Sequence, residues 1–482
     1  MELGLLIDNV DVPANGDAKF ERRSPTTGKV TTKAAAAKQD DVNAAVEAAD
    51  KAFPSWSAMG PSLRRKILND CADALEARAE DFIDIGRRET GGTAPWYGFN
   101  VMLAAGMLRE AASMTTQIKG EIIPANKPGT LSMGYRQPVG VLVGMAPWNA
   151  PIILGVRCFA MPLACGNTVV MKASEKCPGL HRLIGDCMID GGLPKGVLNI
   201  ITHAAEDAPE VVNALIDHPK TRRINFTGST RVGRLIAQRA ANHLKPCLLE
   251  LGGKAPCIVL EDADIEAAVK GAAFGAFMNQ GQICMSTEKI IVVDEIADKF
   301  CAAFAEKADS LKTGKPTEQV HLASVVDRDT IDHVARLIED ATSKGASVIA
   351  GEVPERGTIM PATIVADVTP EMEIYSAESF GPVVTVIRAR DEDHAVELAN
   401  DTEYGLSSAV FTQNIQRRLE VAKRLQTGIA HVNGPTVGDE AQMPFGGTKS
   451  SGYGRFGGTA AIDEFTELRW ITIEDPDQHY PI

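Results

Sequence analysis

Cysteines are sparse in this chain, and acidic residues outnumber basic ones. Its nine cysteines among 482 residues include no C-x-x-C pair, a density far below that of a disulfide scaffold. Its histidines show no H-x-x-x-H spacing and no Cys/His cluster, so we expect no metal site. Lys and Arg number 49 against 63 Asp and Glu, for a net charge of −14. Because phosphate binding needs basic stripes, this balance argues against nucleic acid as the main partner.

Targeting and membrane signals are missing as well. Residues 1–4 lack the basic start of a secretory signal, and no long apolar run follows them. The apolar stretch 141–166 is interrupted by three prolines, an asparagine and Arg157, which indicates a buried strand, loop and helix rather than a membrane span. Free thiols fit a reducing compartment, so we expect a cytoplasmic protein without a membrane partner. The length predicts about three domains or one large two-lobed body.

Apolar runs alternate with helical patterns from residue 139 onwards. Four strand–helix units in a row, followed by a fifth strand, predict a parallel sheet with helices on both faces. Such a sheet binds ligands at the carboxyl ends of its strands. The predicted strands lie at 139–145, 168–172, 197–202, 222–226 and 247–251, and the first predicted helix spans 151–164.

Two further patterns flank this alternation. A second α/β pattern follows residue 253, with strands predicted at 258–260, 290–293, 348–350 and 383–387. Residues 120–138, punctuated by proline and glycine, predict a hairpin. The stretch 468–473 reads as a strand that stands alone after a glycine-rich loop. A lone terminal strand often pairs with something else, and another subunit is one such partner.

Three polar residues stand where side chains could act on a ligand. Cys284 lies in a Gly/Gln turn, where a substrate could reach a nucleophilic thiolate; the alternative is a small buried residue. Glu250 ends an apolar strand before paired glycines, either as a base with a raised pKa or as a strand end that points into solvent. Asn149 follows the first strand, where its amide could donate to an oxyanion or simply form a turn.

These motifs occur with further blocks in a fixed order, and together they resemble the aldehyde dehydrogenase superfamily over nearly the whole chain. Seven blocks in one order make chance agreement negligible. The resemblance implies a Rossmann-like parallel-sheet NAD domain, an α/β catalytic domain and a small β oligomerisation element. The blocks are Pro147-Trp148-Asn149, Lys172-Ala173-Ser174-Glu175, Phe226-Thr227-Gly228-Ser229, those around Glu250 and Cys284, Glu378-Ser379-Phe380-Gly381-Pro382, and Pro444-Phe445-Gly446-Gly447.

The resemblance also implies the catalytic roles. Cys284 attacks the aldehyde to form a thiohemiacetal, whose oxyanion is held by the Asn149 amide and the backbone N–H of Cys284. Loss of hydride to a nicotinamide gives a thioester, and Glu250 activates the water that hydrolyses it. Relatives that transfer the acyl group to coenzyme A typically lack this base, so Glu250 favours hydrolysis to the free acid.

The cofactor implied by the resemblance is NAD. Lys172 and Glu175 match the family's adenosine-ribose contacts, and an acidic Glu175 would repel a 2′-phosphate, which favours NAD over NADP. The alternative for this pair is a surface ion pair. The segment that opens the helix after Thr227 offers N–H groups to a phosphate. Glu378 and Phe380 match the family's contacts to the nicotinamide ribose and ring. The predicted cofactor residues are Trp148, Lys172, Glu175, Gly228, Ser229, Gly233, Glu378 and Phe380.

Substrate preference rests on fewer residues. Many aliphatic-aldehyde enzymes carry a bulky aromatic where this chain has Ala150, which leaves room for a ring. Arg157, about two turns further, faces an ortho-hydroxyl of the substrate or forms an internal salt bridge. Together with Trp96, these features resemble the salicylaldehyde and vanillin dehydrogenase branch, which serves the breakdown of aromatics. The predicted pocket residues are Trp96, Tyr97, Ala150, Arg157, Ile283, Met285 and Phe445.

The predicted organisation follows from these assignments. We expect an NAD-binding domain over 1–119 and 139–251, a catalytic domain over 252–452, and an oligomerisation element over 120–138 and 453–482 that makes a homodimer or homotetramer. The alternatives are a broad-specificity or aliphatic aldehyde dehydrogenase, a coenzyme-A-acylating or NADP-preferring relative, and a non-catalytic protein on this scaffold. Glu250 argues against the coenzyme-A-acylating relative, and Glu175 argues against a preference for NADP. The intact set of catalytic residues argues against a non-catalytic protein.

Overall fold

The computed structural model describes residues 1–477, 480 and 482. No helix in this described part is both long and apolar enough to cross a membrane. The N-terminal part contains strands β1 Glu2–Leu3, β2 Leu5–Ile7, β3 Val10–Val12, β4 Lys19–Arg23 and β5 Val30–Ala35, then helices α1 Gln39–Ser57, α2 Pro61–Ala77, α3 Ala79–Glu89 and α4 Ala94–Met114, then strands β6 Glu121–Ile123 and β7 Leu131–Pro138.

The next stretch alternates strands with helices, as the sequence predicts. Its elements are β8 Val141–Met145, α5 Pro151–Arg157, α6 Ala160–Ala164, β9 Thr168–Lys172, α7 Pro178–Asp190, β10 Leu198–Ile201, α8 Ala208–Asp217, β11 Thr221–Thr227, α9 Thr230–Asn242 and β12 Cys247–Glu250.

The remaining elements begin with a second alternation and end with short strands. They are β13 Ala255–Val259, α10 Ile265–Phe277, β14 Thr287–Val293, α11 Asp294–Asp309, α12 Arg328–Ser343, β15 Ser347–Ala350, β16 Thr363–Ala366, α13 Glu373–Ser376, β17 Val383–Ala389, α14 Glu392–Asn400, β18 Tyr404–Gly405, β19 Ser407–Phe411, α15 Ile415–Arg424, β20 Ile429–Val432, β21 Thr448–Lys449, β22 Gly452–Tyr453, α16 Ala460–Phe465 and β23 Thr466–Ile473.

The first of the two large sheets has eight strands, in the order β22-β12-β11-β8-β9-β10-β2-β3. Strands β12 to β10 in this order run parallel. Alternate residues of β8 enter two cores: Val141 and Val143 pack with α1, α8 and α9, whereas Leu142 packs with the helices of the other face. The chain leaves β8 first towards β9 and later towards β11, so the crevice for a ligand lies at the carboxyl ends of β8 and β11.

A seven-stranded sheet follows in the order β15-β16-β17-β14-β13-β19-β20 and is parallel except for β15. Its two faces pack against α12 and α14 on one side and against α10 and α11 on the other. Strand β14 is buried along its whole length, as a central parallel strand requires. The loop that precedes β14 carries Cys284 and lies at the edge where the two large sheets meet.

The predicted helix 151–164 is wrong in one respect, because it is broken into α5 and α6. Pro162 has no N–H to donate to the carbonyl of Cys158 four residues earlier, so a continuous helix would leave that carbonyl without a partner. The side-chain amide of Asn225 on β11 donates to the Cys158 carbonyl instead, at 3.1 Å. The break therefore ties the helix after Asn149 to the neighbouring strand of the sheet.

The predicted terminal strand does not stand alone within the chain. Strand β23 pairs antiparallel with β7 along all of its residues, and β6 completes a three-stranded sheet. Among the described residues of the segment 453–482, the stretch Thr466–Ile473 is the part that joins this sheet. Tyr453 pairs with Leu249 in the large sheet instead, and α16 contacts α6. The division of the chain into 1–119 with 139–251, 252–452, and 120–138 with 453–482 stays a prediction.

Candidate active site

Cys284 lies in a strained turn between α10 and β14. Asn279 and Gln280 adopt φ values of 49° and 56°, and Gly281 follows at 70°, so three consecutive residues have the left-handed conformation that side chains disfavour. Side-chain hydrogen bonds hold the turn: the Gln280 amide donates to the carbonyl of Ser324 at 3.1 Å and accepts from the Ala323 N–H at 3.0 Å. The turn is therefore held open rather than wound into α10.

Two backbone contacts bring three loops together around this turn. A Cβ atom on Gly253 would lie 2.2 Å from the carbonyl oxygen of Cys284, and one on Gly281 would lie 2.0 Å from the carbonyl oxygen of Gly381. Only glycine allows such approaches. The loop after β12, the turn of Cys284 and the loop before β17 therefore meet with their main chains in contact.

Asn149 is oriented by three hydrogen bonds. Its backbone carbonyl oxygen accepts from the indole N–H of Trp96 at 3.2 Å and from the side-chain amide of Asn279 at 2.9 Å. Its side-chain amide donates to the backbone carbonyl of Gln282 at 3.1 Å. The amide group keeps a second N–H beyond that bond. Because Asn149 and Cys284 line the same cavities, this N–H can donate to the oxyanion that forms when the Cys284 sulfur attacks a carbonyl group.

Two cavities meet at Cys284, and Cys284 and Asn149 line both of them. The apolar cavity and the open solvent at its mouth together span about 520 Å³ of empty space. It is lined by Trp96, Phe99, Asn149, Ala150, Ile153, Leu154, Arg157, Phe274, Met278, Ile283, Cys284, Met285, Val437, Asp439 and Phe445.

The sheet-edge cavity encloses about 640 Å³ on the other side of Cys284. It lies at the carboxyl ends of β8 and β11, where the strand order reverses, as expected for a nucleotide site in a parallel sheet. It is lined by Pro147, Trp148, Asn149, Thr227, Gly228, Ser229, Leu251, Gly252, Cys284, Glu378 and Phe380.

Glu250 is a buried carboxylate without a hydrogen-bond partner. Its side chain is 2% exposed, and neither oxygen has a partner among the described residues. Burial raises the pKa of Glu250 to about 8; the charge of Arg157 lowers this pKa, and the charge of Asp439 raises it. Such a group can bind and release a proton near neutral pH.

The Cys284 thiol depends on a base close by. Burial raises the pKa of Cys284 well above its usual range, and the negative charge of Glu250 raises it further. At rest the sulfur therefore keeps its proton, whereas attack on a carbonyl carbon needs the thiolate. The Glu250 carboxylate, which lacks a close hydrogen-bond partner in the described part of the chain, can take that proton.

The internal salt bridge considered for Arg157 is present, and the Arg157 side chain also lines the apolar cavity. Its guanidinium forms a buried ion pair with Asp439, and the two side chains are 6% and 10% exposed. The guanidinium also lies 4.2 Å from the centre of the Phe445 ring and lines the apolar cavity. Asp439 itself escaped the sequence analysis, although a buried arginine signals that some carboxylate must pair with it.

Tyr97 corrects the predicted pocket. Its hydroxyl donates to the Gly86 carbonyl at 2.9 Å and accepts from the Gly92 N–H at 3.0 Å, away from the apolar cavity. Trp96 lines the apolar cavity, whereas the Tyr97 hydroxyl is bonded to Gly86 and Gly92. The other predicted pocket residues do line it, whereas Phe99, three residues after Trp96 and thus on its face of α4, was missed. Trp96, Ala150, Arg157, Ile283, Met285 and Phe445 line the apolar cavity.

Most predicted cofactor residues lie at the sheet-edge cavity. Trp148, Gly228, Ser229, Glu378 and Phe380 line it. The Trp148 and Phe380 rings meet edge to face, with 5.7 Å between centroids.

Gly233 is a correction, because it lies within α9 and lines no part of this cavity. A Cβ atom there would lie 2.4 Å from a methyl carbon of Leu251. The glycine therefore allows α9 to pack against the end of β12.

Lys172 and Glu175 follow β9 at the same edge of the sheet. Both are partly buried and no ion pair joins them within the described residues, so they are not the surface pair considered above. The Lys172 ammonium lies 2.9 Å from Nε2 of His203 instead. Burial lowers the pKa of His203 to about 4, so this ring is neutral and can accept from the lysine.

The residues around the sheet-edge cavity fit a dinucleotide. Helix α9 begins there with Ser229 as its cap, so backbone N–H groups are available to a phosphate. The Glu378 carboxylate accepts one hydrogen bond, from the Gly253 N–H at 2.8 Å, and keeps lone pairs for ribose hydroxyls. Burial raises the pKa of Glu378 to about 7. No group of three metal-binding side chains occurs in the described part of the chain.

Comparison with known proteins agrees with this architecture. Residues 12–471 match the aldehyde dehydrogenase family. A vanillin dehydrogenase from Pseudomonas fluorescens is 53% identical, and a salicylaldehyde dehydrogenase from Pseudomonas putida is 50% identical, each over 100% of both chains. The crystal structure of a salicylaldehyde dehydrogenase from Pseudomonas putida complexed with salicylaldehyde superposes with a TM-score of 0.98, at 49% identity over 100% of both chains.

A more distant structure extends the comparison. An NAD+ complex of an aldehyde dehydrogenase from Bacillus cereus superposes with a TM-score of 0.95, at 32% identity over 98% of this chain and 97% of that one. The family match, the full-length relatives and the two cavities that meet at Cys284 lead to one conclusion: this chain belongs to the aldehyde dehydrogenase family.

Proposed function

We propose that this protein oxidises an aromatic aldehyde to the carboxylic acid with NAD. The observation that carries the proposal is the position of Cys284 and Asn149, which line both the apolar cavity and the sheet-edge cavity. A thiol placed there can bind an aldehyde on one side and expose the resulting carbon to a nicotinamide on the other. Full-length relatives named for vanillin and salicylaldehyde support the substrate class.

The first step forms the bond between sulfur and carbon. Glu250 takes the thiol proton of Cys284, the sulfur attacks the carbonyl carbon, and the carbonyl electron pair moves to the oxygen. The Asn149 amide and the backbone N–H of Cys284 donate to that oxygen. These groups hold the tetrahedral thiohemiacetal in place until the hydride leaves.

The cofactor site presents the hydride acceptor to this intermediate. NAD, when bound, takes up the hydride from the carbon that Cys284 holds, and a thioester remains. Trp148 and Phe380 would enclose the nicotinamide side, Glu378 would hold ribose hydroxyls, and the start of α9 would hold a phosphate. The partly buried Glu175 would accept from the adenosine ribose and repel a 2′-phosphate, which favours NAD over NADP.

The second step releases the acid. Glu250 first releases to solvent the proton that it took from Cys284. It then takes a proton from a water molecule as the water oxygen attacks the thioester carbon. The bond between carbon and sulfur breaks, which releases the carboxylic acid and leaves a Cys284 thiolate that the protonated Glu250 can reprotonate. A base with a pKa of about 8 is ionised in part at neutral pH. Hydrolysis therefore needs no coenzyme A.

The apolar cavity supports an aromatic substrate. The aromatic side chains of Trp96, Phe99 and Phe445 line it, and the small Ala150 stands where a larger side chain would fill the space. The Arg157–Asp439 pair provides polar atoms at the same cavity for a substituent on the ring. An aromatic aldehyde with a hydroxyl group on its ring would match both the aromatic side chains and the ion pair of this cavity.

The protein also has features of a homo-oligomer, and we include a homodimer or homotetramer in the proposal. The three-stranded sheet exposes apolar side chains, with Trp470 at 76% and Leu468 at 63% exposed. An open strand edge with such side chains favours association. All nine cysteines are unpaired, which fits a reducing compartment such as the cytoplasm.

The test is steady-state NADH formation by the purified protein. Salicylaldehyde, vanillin, benzaldehyde and hexanal are compared, each with NAD and NADP, and Cys284→Ala is the control. We expect kcat/KM to be highest for aromatic aldehydes with NAD, and Cys284→Ala to be inactive. A preference for hexanal would refute the substrate class, and a requirement for coenzyme A would refute the hydrolytic role of Glu250.

A further inference from the structure

A buried ion pair lies directly behind the sheet-edge cavity. The Lys254 ammonium donates to the Glu288 carboxylate at 2.7 Å, and their side chains are 0% and 5% exposed. Removing two charges from water is costly, and apolar replacements of such pairs are often neutral or stabilising. A contribution to stability is therefore a poor explanation for this pair, and its other contacts are more informative.

The Glu288 carboxylate also accepts hydrogen bonds from the loop that contains Ser379 and Phe380. It accepts from the Ser379 N–H at 3.0 Å, from the Ser379 hydroxyl at 2.8 Å and from the Phe380 N–H at 3.1 Å. Phe380 has a φ of 48°, a conformation that a bulky residue keeps only when its surroundings impose it. The carboxylate of Glu288 is therefore one of the groups that hold this loop in a strained form, together with His333, whose ring nitrogen lies 2.9 Å from the Glu378 carbonyl oxygen.

The pair also connects the loop to the rest of the site. Lys254 directly follows Gly253, whose N–H donates to Glu378 at 2.8 Å. Glu288 lies on β14, four residues after Cys284. The loop after the base, the strand after the nucleophile and the loop with Glu378 and Phe380 are thus joined through two buried charges.

We infer that Glu288, oriented by Lys254, is a positioning residue for the nicotinamide half of the cofactor. It acts through the backbone of Ser379 and Phe380 and so sets where Glu378 and the Phe380 ring face the sheet-edge cavity. The inference rests on the proposed use of NAD. It assigns the pair to cofactor placement and not to the thiol chemistry, because neither side chain contacts Cys284, Asn149 or Glu250 among the described hydrogen bonds.

This assignment separates two activities of one active site. An activated ester such as 4-nitrophenyl acetate can acylate Cys284 and be hydrolysed with the help of Glu250, without any hydride transfer. Aldehyde oxidation needs the same thiol and base and also a well-placed nicotinamide. Loosening the loop of Phe380 should therefore impair oxidation and NAD binding while ester hydrolysis continues.

The main variant removes both charges at once. Lys254→Met with Glu288→Leu leaves no buried charge without a partner, so the protein is expected to fold. We expect NAD binding, followed by quenching of tryptophan fluorescence, to weaken about tenfold, as the loss of hydrogen bonds to a charged group implies. The KM for NAD rises accordingly, whereas the KM for the aldehyde and the hydrolysis of 4-nitrophenyl acetate without NAD stay within about a factor of two.

Two further variants make the test specific. Lys289→Met is the matched control: Lys289 is a fully buried lysine on the same strand, but its ammonium donates to the carbonyl of Asp401 at 2.9 Å and not to the loop of Phe380. It should leave NAD binding unchanged. Ser379→Ala removes only one of the bonds to Glu288 and should weaken NAD binding in the same direction by a smaller factor, which keeps the test decisive if the double variant does not fold.

The outcomes distinguish this inference from the proposed function. A wild-type protein that does not bind NAD refutes both. A wild-type protein that oxidises aldehydes with NAD, together with unchanged NAD binding in the double variant and in Ser379→Ala, refutes the inference alone. A parallel loss of ester hydrolysis and NAD binding, or an equal loss in Lys289→Met, also refutes it, because the pair would then support the fold in general.

Discussion

The two cavities that meet at Cys284 are built from different parts of the chain. The sheet-edge cavity is made by loops that follow the strands β8, β11 and β12, together with the short loop of Glu378 and Phe380. The apolar cavity is made by side chains from α4, α5 and α10 and by a loop near residue 437. The first is held by backbone contacts and buried hydrogen bonds, the second by the packing of side chains. Substrate preference can therefore change by single substitutions, whereas the cofactor side tolerates few.

The largest effect is expected from Glu250, the buried carboxylate whose charge acts on Cys284. Glu250→Gln keeps the shape of the side chain but removes the base, so both thiol activation and hydrolysis of the thioester should suffer. We expect kcat to fall by about 10²–10⁴-fold. Mass spectrometry after mixing with aldehyde and NAD should reveal acylated Cys284. A variant that retains normal turnover would place the base elsewhere.

A smaller effect is expected from narrowing the apolar cavity alone. Ala150→Phe fills the space opposite the ring-bearing side chains, so kcat/KM for aromatic aldehydes should fall by about 10–200-fold relative to hexanal. Binding of NAD should be unchanged, because Ala150 lines only the apolar cavity. Titration with NAD provides that control. Equal losses for both aldehyde classes would show that the substitution disturbs Asn149 rather than the substrate.

The ion pair in the apolar cavity allows a test by pH. Activity that needs ionised Glu250 rises as the pH passes its pKa of about 8. The charge of Asp439 raises this pKa, so Asp439→Asn should move the rise to lower pH. The charge of Arg157 lowers it, so Arg157→Met should move the rise to higher pH.

The measurement is kcat against pH for both variants and the wild type, over the range in which each stays folded. Opposite displacements support the position of the ion pair beside Glu250. Displacements in the same direction would mean that a change in packing, and not the charge, controls the base.

The smallest kinetic effect is expected from Tyr97, which lies outside both cavities. Tyr97→Phe leaves the Gly92 N–H without its acceptor, whereas the Gly86 carbonyl keeps the N–H groups of residues 90 and 91 as donors. The free energy of unfolding should therefore fall by about 1–3 kcal/mol. Kinetic constants should not change. Chemical denaturation measures the first quantity, and Trp96→Phe serves as the contrasting variant, because it should alter the kinetics through Asn149.

The same contrast explains how much of the site was predictable from sequence. Residues of the sheet-edge cavity follow strands and sit in short motifs, so Trp148, Gly228 and Glu378 could be named in advance. Contacts between distant segments carry no local signal, which is why Asp439 and Phe274 were missed.

The incorrect assignments have a similar origin. Tyr97 was predicted to line the pocket together with Trp96, but its hydroxyl is bonded to Gly86 and Gly92 instead. Gly233 was read as a phosphate contact, whereas its role is to let α9 pack on Leu251. The predicted alternation of strands and helices anticipated the parallel core of the first large sheet, but not its strands β2, β3 and β22, nor the strands β16, β19 and β20 of the second. The break between α5 and α6 depends on Asn225 from another strand.

The pairing of β7 with β23 has a consequence for biosynthesis. The indole N–H of Trp470 donates to the hydroxyl of Ser132, and 338 residues separate the two in the chain. At about 5–20 residues per second, a ribosome completes that interval in roughly 17–70 s. The hairpin of β6 and β7 therefore emerges long before its third strand and waits with an unpaired edge. Any association of subunits through the finished sheet must follow the synthesis of β23, which makes assembly a late event.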